Sequence, residues 1–496
     1  MKNSSNKSTG LFNKSVIIYV IGTLTLLNGF LMLSCIPFSL VYDFNQELHW
    51  DFLLCGAITI FSGFLMRLLT KKHKSSEIKK RDGYLIVVGG WLFMTLFGCL
   101  PYLISGSIPD LTNAFFETMS GFTTTGSTIL DDIESLPKSI LFWRSMTQWI
   151  GGMGIIVLTI AILPLLGIGG MELFIAEAPG PTKDKIHPRI KETAKRLWII
   201  YFGLTMLETI ILMVIGLDFF DAVNHSLTTT STGGFSTKQA SIVAFQNPWV
   251  EAVIVIFMLL AGTNFTLIYF GLKMRFNKIL KNDEFKWYIT SIFLVVITLT
   301  IYHSFSNEIT LLKSFREICF QVVSIITTTG YSTADYTIWG SFMSFIFFLF
   351  LFSGASAGST SGGIKIVRII LLIKNGLLEF KRRLHPKAVI PVILNGSSIS
   401  NQVTYNLLAF IFLYLFVFAI GSIFLAALGI DIITSISAVA SAVGNVGPGI
   451  GKVGPSFSFN DIPNIGKWIL SLLMLMGRLE LFTVCLLFTP YFWKRI

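Results

Sequence analysis

The sequence predicts an all-α polytopic membrane protein: four parallel repeats of span, pore helix and span around a central pore, preceded by a two-helix hairpin. Three observations predict it. Apolar stretches long enough to cross about 30 Å of hydrocarbon recur from end to end. Basic residues crowd into alternate connectors. A short Thr/Gly segment returns four times in register.

The chain has 496 residues, of which 53% are hydrophobic and 13% charged. A soluble domain carries about a quarter charged residues. Ten spans are expected, at 15–41, 52–70, 84–104, 141–167, 196–217, 248–271, 287–305, 341–372, 402–430 and 466–493. The first is too long for a signal-peptide core and has no small-residue cleavage pattern behind it, so it is read as a span. The net charge of +11 is carried mainly by segments 71–81, 183–196, 273–286 and 374–387, whereas connectors such as 43–51 and 131–134 are neutral or acidic. That alternation is the positive-inside bias and places both termini in the cytoplasm. Nucleic acid is excluded as a partner, because no soluble face interleaves basic and aromatic residues. The five cysteines lie singly in apolar segments, as small buried hydrophobes do, and the six histidines show no metal-ligand spacing.

Spans one and two form the leading hairpin, and the other eight fall into four pairs. Each pair encloses a short helix-forming stretch that ends in a Thr- or Gly-rich run: Thr123-Thr-Thr-Gly126, Ser231-Thr-Gly-Gly234, Thr327-Thr-Thr-Gly330 and Gly444-Asn-Val-Gly447. The glycines are spaced by 108, 96 and 117 residues, an internal repeat. The chain divides accordingly into 1–82 (hairpin and basic loop), 83–172, 173–272, 273–375 and 376–496. Each repeat contains two full crossings, so all four enter the membrane in one orientation and can surround an axis along its normal.

Irregular backbone at membrane depth persists only where protein or water satisfies it. Four such runs on one axis would aim carbonyl oxygens inward and replace an ion's hydration shell. Glycine permits the backbone angles this needs. The preceding short helices point their partial negative ends at the axis, which favours a cation. The candidate filter residues are Thr124, Thr125 and Gly126; Thr232, Gly233 and Gly234; Thr328, Thr329 and Gly330; and Asn445, Val446 and Gly447. No acidic side chain lies in these runs, which argues against a divalent-selective ring. Repeat four, with Gly444-Asn445-Val446 in place of three threonines, predicts a less regular cage and weaker K⁺/Na⁺ discrimination.

The pattern resembles the Trk/Ktr/HKT superfamily of potassium transporters, and most of all the membrane-subunit branch of the bacterial Trk potassium-uptake system. The resemblance covers nearly the whole chain. It is carried by Phe142-Trp-Arg144, Gln148-Trp-Ile-Gly-Gly-Met-Gly-Ile155, the run LPLLGIGGMEL at 163–173, Thr329-Gly-Tyr-Ser-Thr333 and Gly444-Asn-Val-Gly-Pro-Gly449. It implies that the four glycines line a K⁺ filter. Some plant relatives that carry Na⁺ have serine at the first, and here it is Gly126. It also implies a homodimer in the bacterial cytoplasmic (inner) membrane, surrounded by lipid, with a cytosolic nucleotide-binding RCK subunit of the TrkA type. K⁺ would be the transported ion, and no other cofactor is implied.

Span 341–372 is interrupted at 353–363 by Ser-Gly-Ala-Ser-Ala-Gly-Ser-Thr-Ser-Gly-Gly. The break starts about 12 residues, or about 18 Å, into the membrane. Arg478 falls at similar depth in the last span, and an intramembrane arginine marks function by default. The loop, with Gly354, Ser356, Gly358, Gly362 and Gly363, is expected to lie under the filter as a gate held by Arg478, as the resemblance also implies. A structural pairing of Arg478 with Glu480 or with a lipid phosphate is the alternative. Gly354-Ala-Ser356-Ala-Gly358 matches a nucleophile elbow, but it follows no strand and no histidine lies in a neighbouring span. Residues 358–365 fail the Walker A pattern at Gly363-Ile-Lys365. No enzyme is expected. A stoichiometric K⁺/H⁺ or K⁺/Na⁺ symporter is the competing mechanism, weakened because no buried carboxylate chain is evident.

Overall fold

The computed structural model describes residues 12–70, 79–157 and 186–494. The expected span end at 158–167, the 163–173 motif, most of the basic segment 71–81 and the start of 183–196 lie outside the described residues.

The leading hairpin consists of α1 (Lys14–Leu33), α2 (Ile36–Tyr42) and α3 (Leu48–Thr70). Glycines seven residues apart, Gly22 and Gly29 on α1 and Gly56 and Gly63 on α3, bring the two backbones together. A Cβ at Gly63 would lie 2.7 Å from the Gly22 carbonyl oxygen. Repeat one comprises α4 (Lys80–Gly98), α5 (Leu100–Ile104), α6 (Leu111–Phe122) and α7 (Lys138–Val157). Repeat two comprises α8 (Ile186–Ile215), α9 (Phe219–Thr230), α10 (Pro248–Ala261) and α11 (Phe265–Leu272). After α12 (Phe276–Leu280), repeat three comprises α13 (Asp283–Asn307), α14 (Leu311–Ile326), α15 (Ser341–Phe350) and α16 (Ile366–Leu384). A hairpin of β1 (Val392–Leu394) and β2 (Ser397–Ile399) then leads to repeat four: α17 (Asn401–Ala427), α18 (Ile432–Gly444), α19 (Asn464–Arg478) and α20 (Leu481–Cys485).

Among the described residues six helical segments are long and apolar enough to cross a membrane, and two bent pairs join them. The predicted all-α, four-repeat architecture is what folds, with two corrections. Span 248–271 is broken between α10 and α11 by 106°, and span 466–493 is broken after Arg478 by 118°. A hydropathy window registers how apolar a segment is and is blind to its direction. The breaks sit at Gly262–Asn264, where Asn264 caps α11, and at Glu480, whose φ of 68° ends α19.

The short helices α6, α9, α14 and α18 are almost wholly buried at their C-terminal ends. Three start on an aspartate cap: Asp110 accepts the Asn113 N–H at 2.9 Å, Asp218 that of Asp221 at 3.3 Å and Asp431 that of Thr434 at 3.0 Å. These bonds hold the Asp431 carboxyl below the usual carboxylate range. Packing runs in a cycle. The inner helix α7 packs on α9, α10 on α14 and α19 on α6, and the end of α15 reaches α18 where a Cβ at Gly444 would lie 2.3 Å from the Leu351 carbonyl oxygen.

Candidate pore and gate

The four Thr/Gly runs have one backbone. Two residues before each glycine the chain turns left-handed, at Thr124 (φ 50°), Thr232 (53°), Thr328 (58°) and Asn445 (52°). The glycines themselves follow at 87°, 75°, 82° and 107°. The residue between them closes a wide turn onto its helix: Thr125 N donates to Ser120 O, Gly233 N to Thr228 O, Thr329 N to Ser324 O and Val446 N to Ser441 O, all at 2.8–3.0 Å. Three β-branched threonines thus sit where asparagine or glycine is ordinarily found, at about 1–3 kcal/mol of strain each. Asn445, which seemed to spoil the symmetry of repeat four, is the residue best suited to this conformation, and the backbone of that loop matches the others in sign of φ.

The loops also touch in a ring. A Cβ at Gly126 would lie 2.3 Å from Gly233 O, one at Gly234 1.8 Å from Thr329 O, one at Gly330 2.1 Å from Val446 O and one at Gly447 2.9 Å from Thr125 O. Each glycine leaves room for a carbonyl of the next loop, and the fourth returns to the first. Two carbonyls of the ring are taken by protein donors. Gly233 O accepts from Gln148 Nε2 at 2.6 Å, and Gly447 O accepts the hydroxyls of Ser127 (2.9 Å) and Ser441 (2.7 Å).

A buried frame surrounds this ring. Arg144 Nε meets Glu117 Oε1 at 2.6 Å, with both side chains buried. Arg144 also donates to Ser236 O at 2.9 Å and stacks on Phe235 at 3.6 Å, while Glu117 accepts the Ile129 N–H at 3.0 Å. One ion pair therefore ties α6, α7 and the exits of loops one and two. Tyr331, behind loop three, donates to His225 O of α9 at 3.1 Å.

The segment 353–365 lies directly against the ring. Gly354 N donates to Ile364 O at 2.7 Å and Ile364 N to Phe352 O at 3.0 Å, closing it into a loop in which Gly354, Gly362 and Gly363 meet. Gly362 N donates to the Thr328 hydroxyl at 2.7 Å, and Thr360 Oγ1 to Thr230 O at 3.1 Å. From the opposite side Arg478, buried at the end of α19, donates to Thr360 O at 2.6 Å and Gly151 O at 3.4 Å. Gly358 rests on Asn264 at the break between α10 and α11. A small cavity beside the loop is lined by Ser361, Lys365, Arg368, Arg478 and Glu480.

Glu480 does not pair with Arg478. It binds Arg368 of α16 through both oxygens, at 2.7 and 2.8 Å. A histidine does lie in the first span of the same repeat, His303 of α13, but it bonds Ser314 Oγ at 3.1 Å. It is 19 residues beyond Glu284, about 28 Å along α13 from the loop, so Ser356 has no catalytic base there. Two single carboxylates, Glu117 and Glu208, are nevertheless fully buried. Their signal was an acid inside an apolar stretch, which deserves a named partner wherever it occurs.

Residues 49–495 match the model of the TrkH family, described as cation transport proteins. The chain belongs to the TrkH family. It is therefore a multi-pass membrane transport protein and not an enzyme. It is 38% identical over 483 residues to the Trk system potassium uptake protein TrkH of Halomonas elongata, covering 97% of this chain and 99% of that one. It is 43% identical over 428 residues to the protein of the same name from Escherichia coli, covering 85% and 88%. The crystal structure of the potassium transporter TrkH from Vibrio parahaemolyticus superposes with a TM-score of 0.89 at 36% identity, over 97% of this chain and all of that one.

Proposed function

We propose that this TrkH-family chain takes up K⁺ across the bacterial cytoplasmic membrane through a gated pore, with both termini in the cytoplasm. Its filter is the ring of Thr124 to Gly126, Thr232 to Gly234, Thr328 to Gly330 and Asn445 to Gly447. The gate is the loop 353–365, tethered by Arg478, and the working unit is a homodimer with a TrkA-type RCK subunit. The observation that carries this reading is the position of the loop: Gly362 donates to the Thr328 hydroxyl of the ring itself. A cation leaving the ring meets that loop and the Arg478 guanidinium. Repulsion at roughly 8 Å amounts to about 2 kcal/mol at an effective dielectric of about 20, which slows conduction tens-fold.

Proteoliposomes holding the chain alone test it, with uptake of K⁺, Rb⁺, Na⁺ and Li⁺ compared. K⁺ and Rb⁺ uptake should exceed that of Na⁺ and Li⁺, and Arg478→Ala or deletion of 356–361 should raise it. Loss of flux in both variants at normal folding would refute the gate.

One observation favours the symport reading. Glu208 Oε2 sits 3.4 Å from Thr230 Oγ1 behind loop two, and its other oxygen has no hydrogen-bond partner among the described residues. A fixed ratio of protons to K⁺, abolished in Glu208→Gln, would replace the gated pore with an ion-coupled cycle.

A further inference from the structure

A second hold on the loop 353–365 comes from neither the ring nor Arg478. The carboxylate of Glu284, in the first turn of α13, accepts the Ala357 N–H at 2.6 Å. The adjacent Asp283 exchanges two bonds with the tip of the β-hairpin: Asp283 N donates to Asn395 Oδ1 at 2.7 Å, and Asn395 N donates to Asp283 Oδ2 at 2.8 Å. Lys374 of α16 reinforces the joint, 3.7 Å from Asp283 and donating to Ile393 O at 3.0 Å. The tip is stiff, because Asn395 and Gly396 (φ 49° and 76°) form a two-residue turn matched to the strand twist. The start of α13 is stiff as well, since Asn282 caps it by accepting the Phe285 N–H at 2.8 Å. The hairpin and the loop therefore grip neighbouring residues of one rigid helix turn.

We propose that Glu284 is a positioning residue for the loop and that the β1–β2 hairpin is the lever that places it. The inference rests on the reading of that loop as the gate. A backbone N–H bound to a carboxylate makes a charge-assisted bond, and Glu284 is only 7% exposed, so little water competes for it. Displacing the hairpin tip rotates the first turn of α13 and takes the acceptor away from Ala357. The loop then loses one of its few long-range anchors and leaves the ring exit more often. Force applied at the hairpin reaches the gate through the paired bonds of Asp283 with Asn395 and then the bond of Glu284 with Ala357.

The experiment is Rb⁺ uptake into proteoliposomes containing the full chain alone, with folding checked by size-exclusion chromatography and thermal melting. Glu284→Ala should raise uptake roughly tenfold, the worth of one hydrogen bond to a charged group. Glu284→Gln keeps an acceptor oxygen and should restore most of the closure. Asp283→Ala and Asn395→Ala each remove one of the two bonds of the joint and should each raise uptake by a smaller factor, and the pair together by no more than Glu284→Ala. The proposal is overturned if Glu284→Gln conducts as much as Glu284→Ala, or if Glu284→Ala matches wild type while Arg478→Ala raises uptake. If Arg478→Ala also changes nothing, the gate reading itself falls. Should Glu284→Ala fail to fold, Asn395→Ala decides, and wild-type uptake in that variant overturns the lever.

Discussion

The ring of four loops and the single loop beneath it are in contact, yet they are built on opposite plans. In the ring one backbone is written four times in different side chains, and each copy is fixed by its own helix end and by a neighbour's carbonyl, the first two also by the buried pair of Glu117 and Arg144. Among the described residues the loop 353–365 is the long interruption of an inner span, where repeats two and four have breaks of only a few residues. It is held mainly by isolated long-range bonds from Thr328, Arg478, Glu284 and Gly262. A structure fixed several times over tolerates the loss of no single part cheaply and barely moves. One fixed by separate single bonds gives them up one at a time. The first suits a cage and the second suits a switch.

Two arginines sharpen that contrast, since both are buried, with side-chain exposure of 2% for Arg144 and 3% for Arg478. Arg144→Ala strands the Glu117 carboxylate and should cost about 3–5 kcal/mol of stability in a thermal or denaturant melt. Arg478→Ala strands no opposite charge and should cost far less while raising flux. Equal destabilisation would erase the distinction.

The ring glycines provide the next test. Gly234→Ala, whose Cβ would sit 1.8 Å from Thr329 O, should reduce the K⁺/Na⁺ permeability ratio more than Gly447→Ala, where the gap is 2.9 Å. Equal ratios in the two variants would mean that the ring relaxes independently of this packing.

Two equivalent threonines separate ring from loop more finely. The Thr328 hydroxyl accepts the Gly362 N–H, whereas the Thr124 hydroxyl has no partner among the described residues. Thr328→Val should raise flux by a few-fold, the worth of one neutral hydrogen bond of about 1 kcal/mol. Thr124→Val should change it less, and the reverse order would sever the link between loop and ring.

The smallest expected effect is at the cap of α18. The Asp431 carboxyl titrates below its unfolded value, so its stabilising contribution is complete above about pH 4 and fades as pH falls through the depressed value. Asp431→Ala should therefore lower the melting temperature slightly at neutral pH, and the difference should close in acid.

The spans and the repeated runs were legible because membrane length and four-fold recurrence are properties of sequence alone. The left-handed threonines were not, because propensity argues against Thr124, Thr232 and Thr328 in that conformation and only the ring around them enforces it. Arg144 and Glu117 were visible as charges, but their pairing across 27 residues depends on how α6 and α7 pack. Glu284 falls inside the basic segment 273–286, and nothing in the sequence marks its bond to Ala357. The hairpin is written in the sequence: Asn395-Gly396 between Val392-Ile-Leu394 and Ser397-Ser-Ile399 is a strong short-range turn signal, to which span length and hydropathy are blind.

The way each loop seats the next has a consequence for assembly. Contacts that run head to tail close only if the rotation per unit matches the number of units, as in cyclic oligomers. Here the units are covalently joined and unequal in sequence, so the chain behaves as a four-membered ring that has been linked end to end. Its last joint, Gly447 against Thr125, pairs residues 322 positions apart and has to wait until the fourth repeat is in place. A chain interrupted between repeats three and four would hold three correctly formed quarters and no enclosed axis. Supplying the missing quarter as a separate polypeptide should complete the circle, because nothing in the joint itself requires the chain to be continuous.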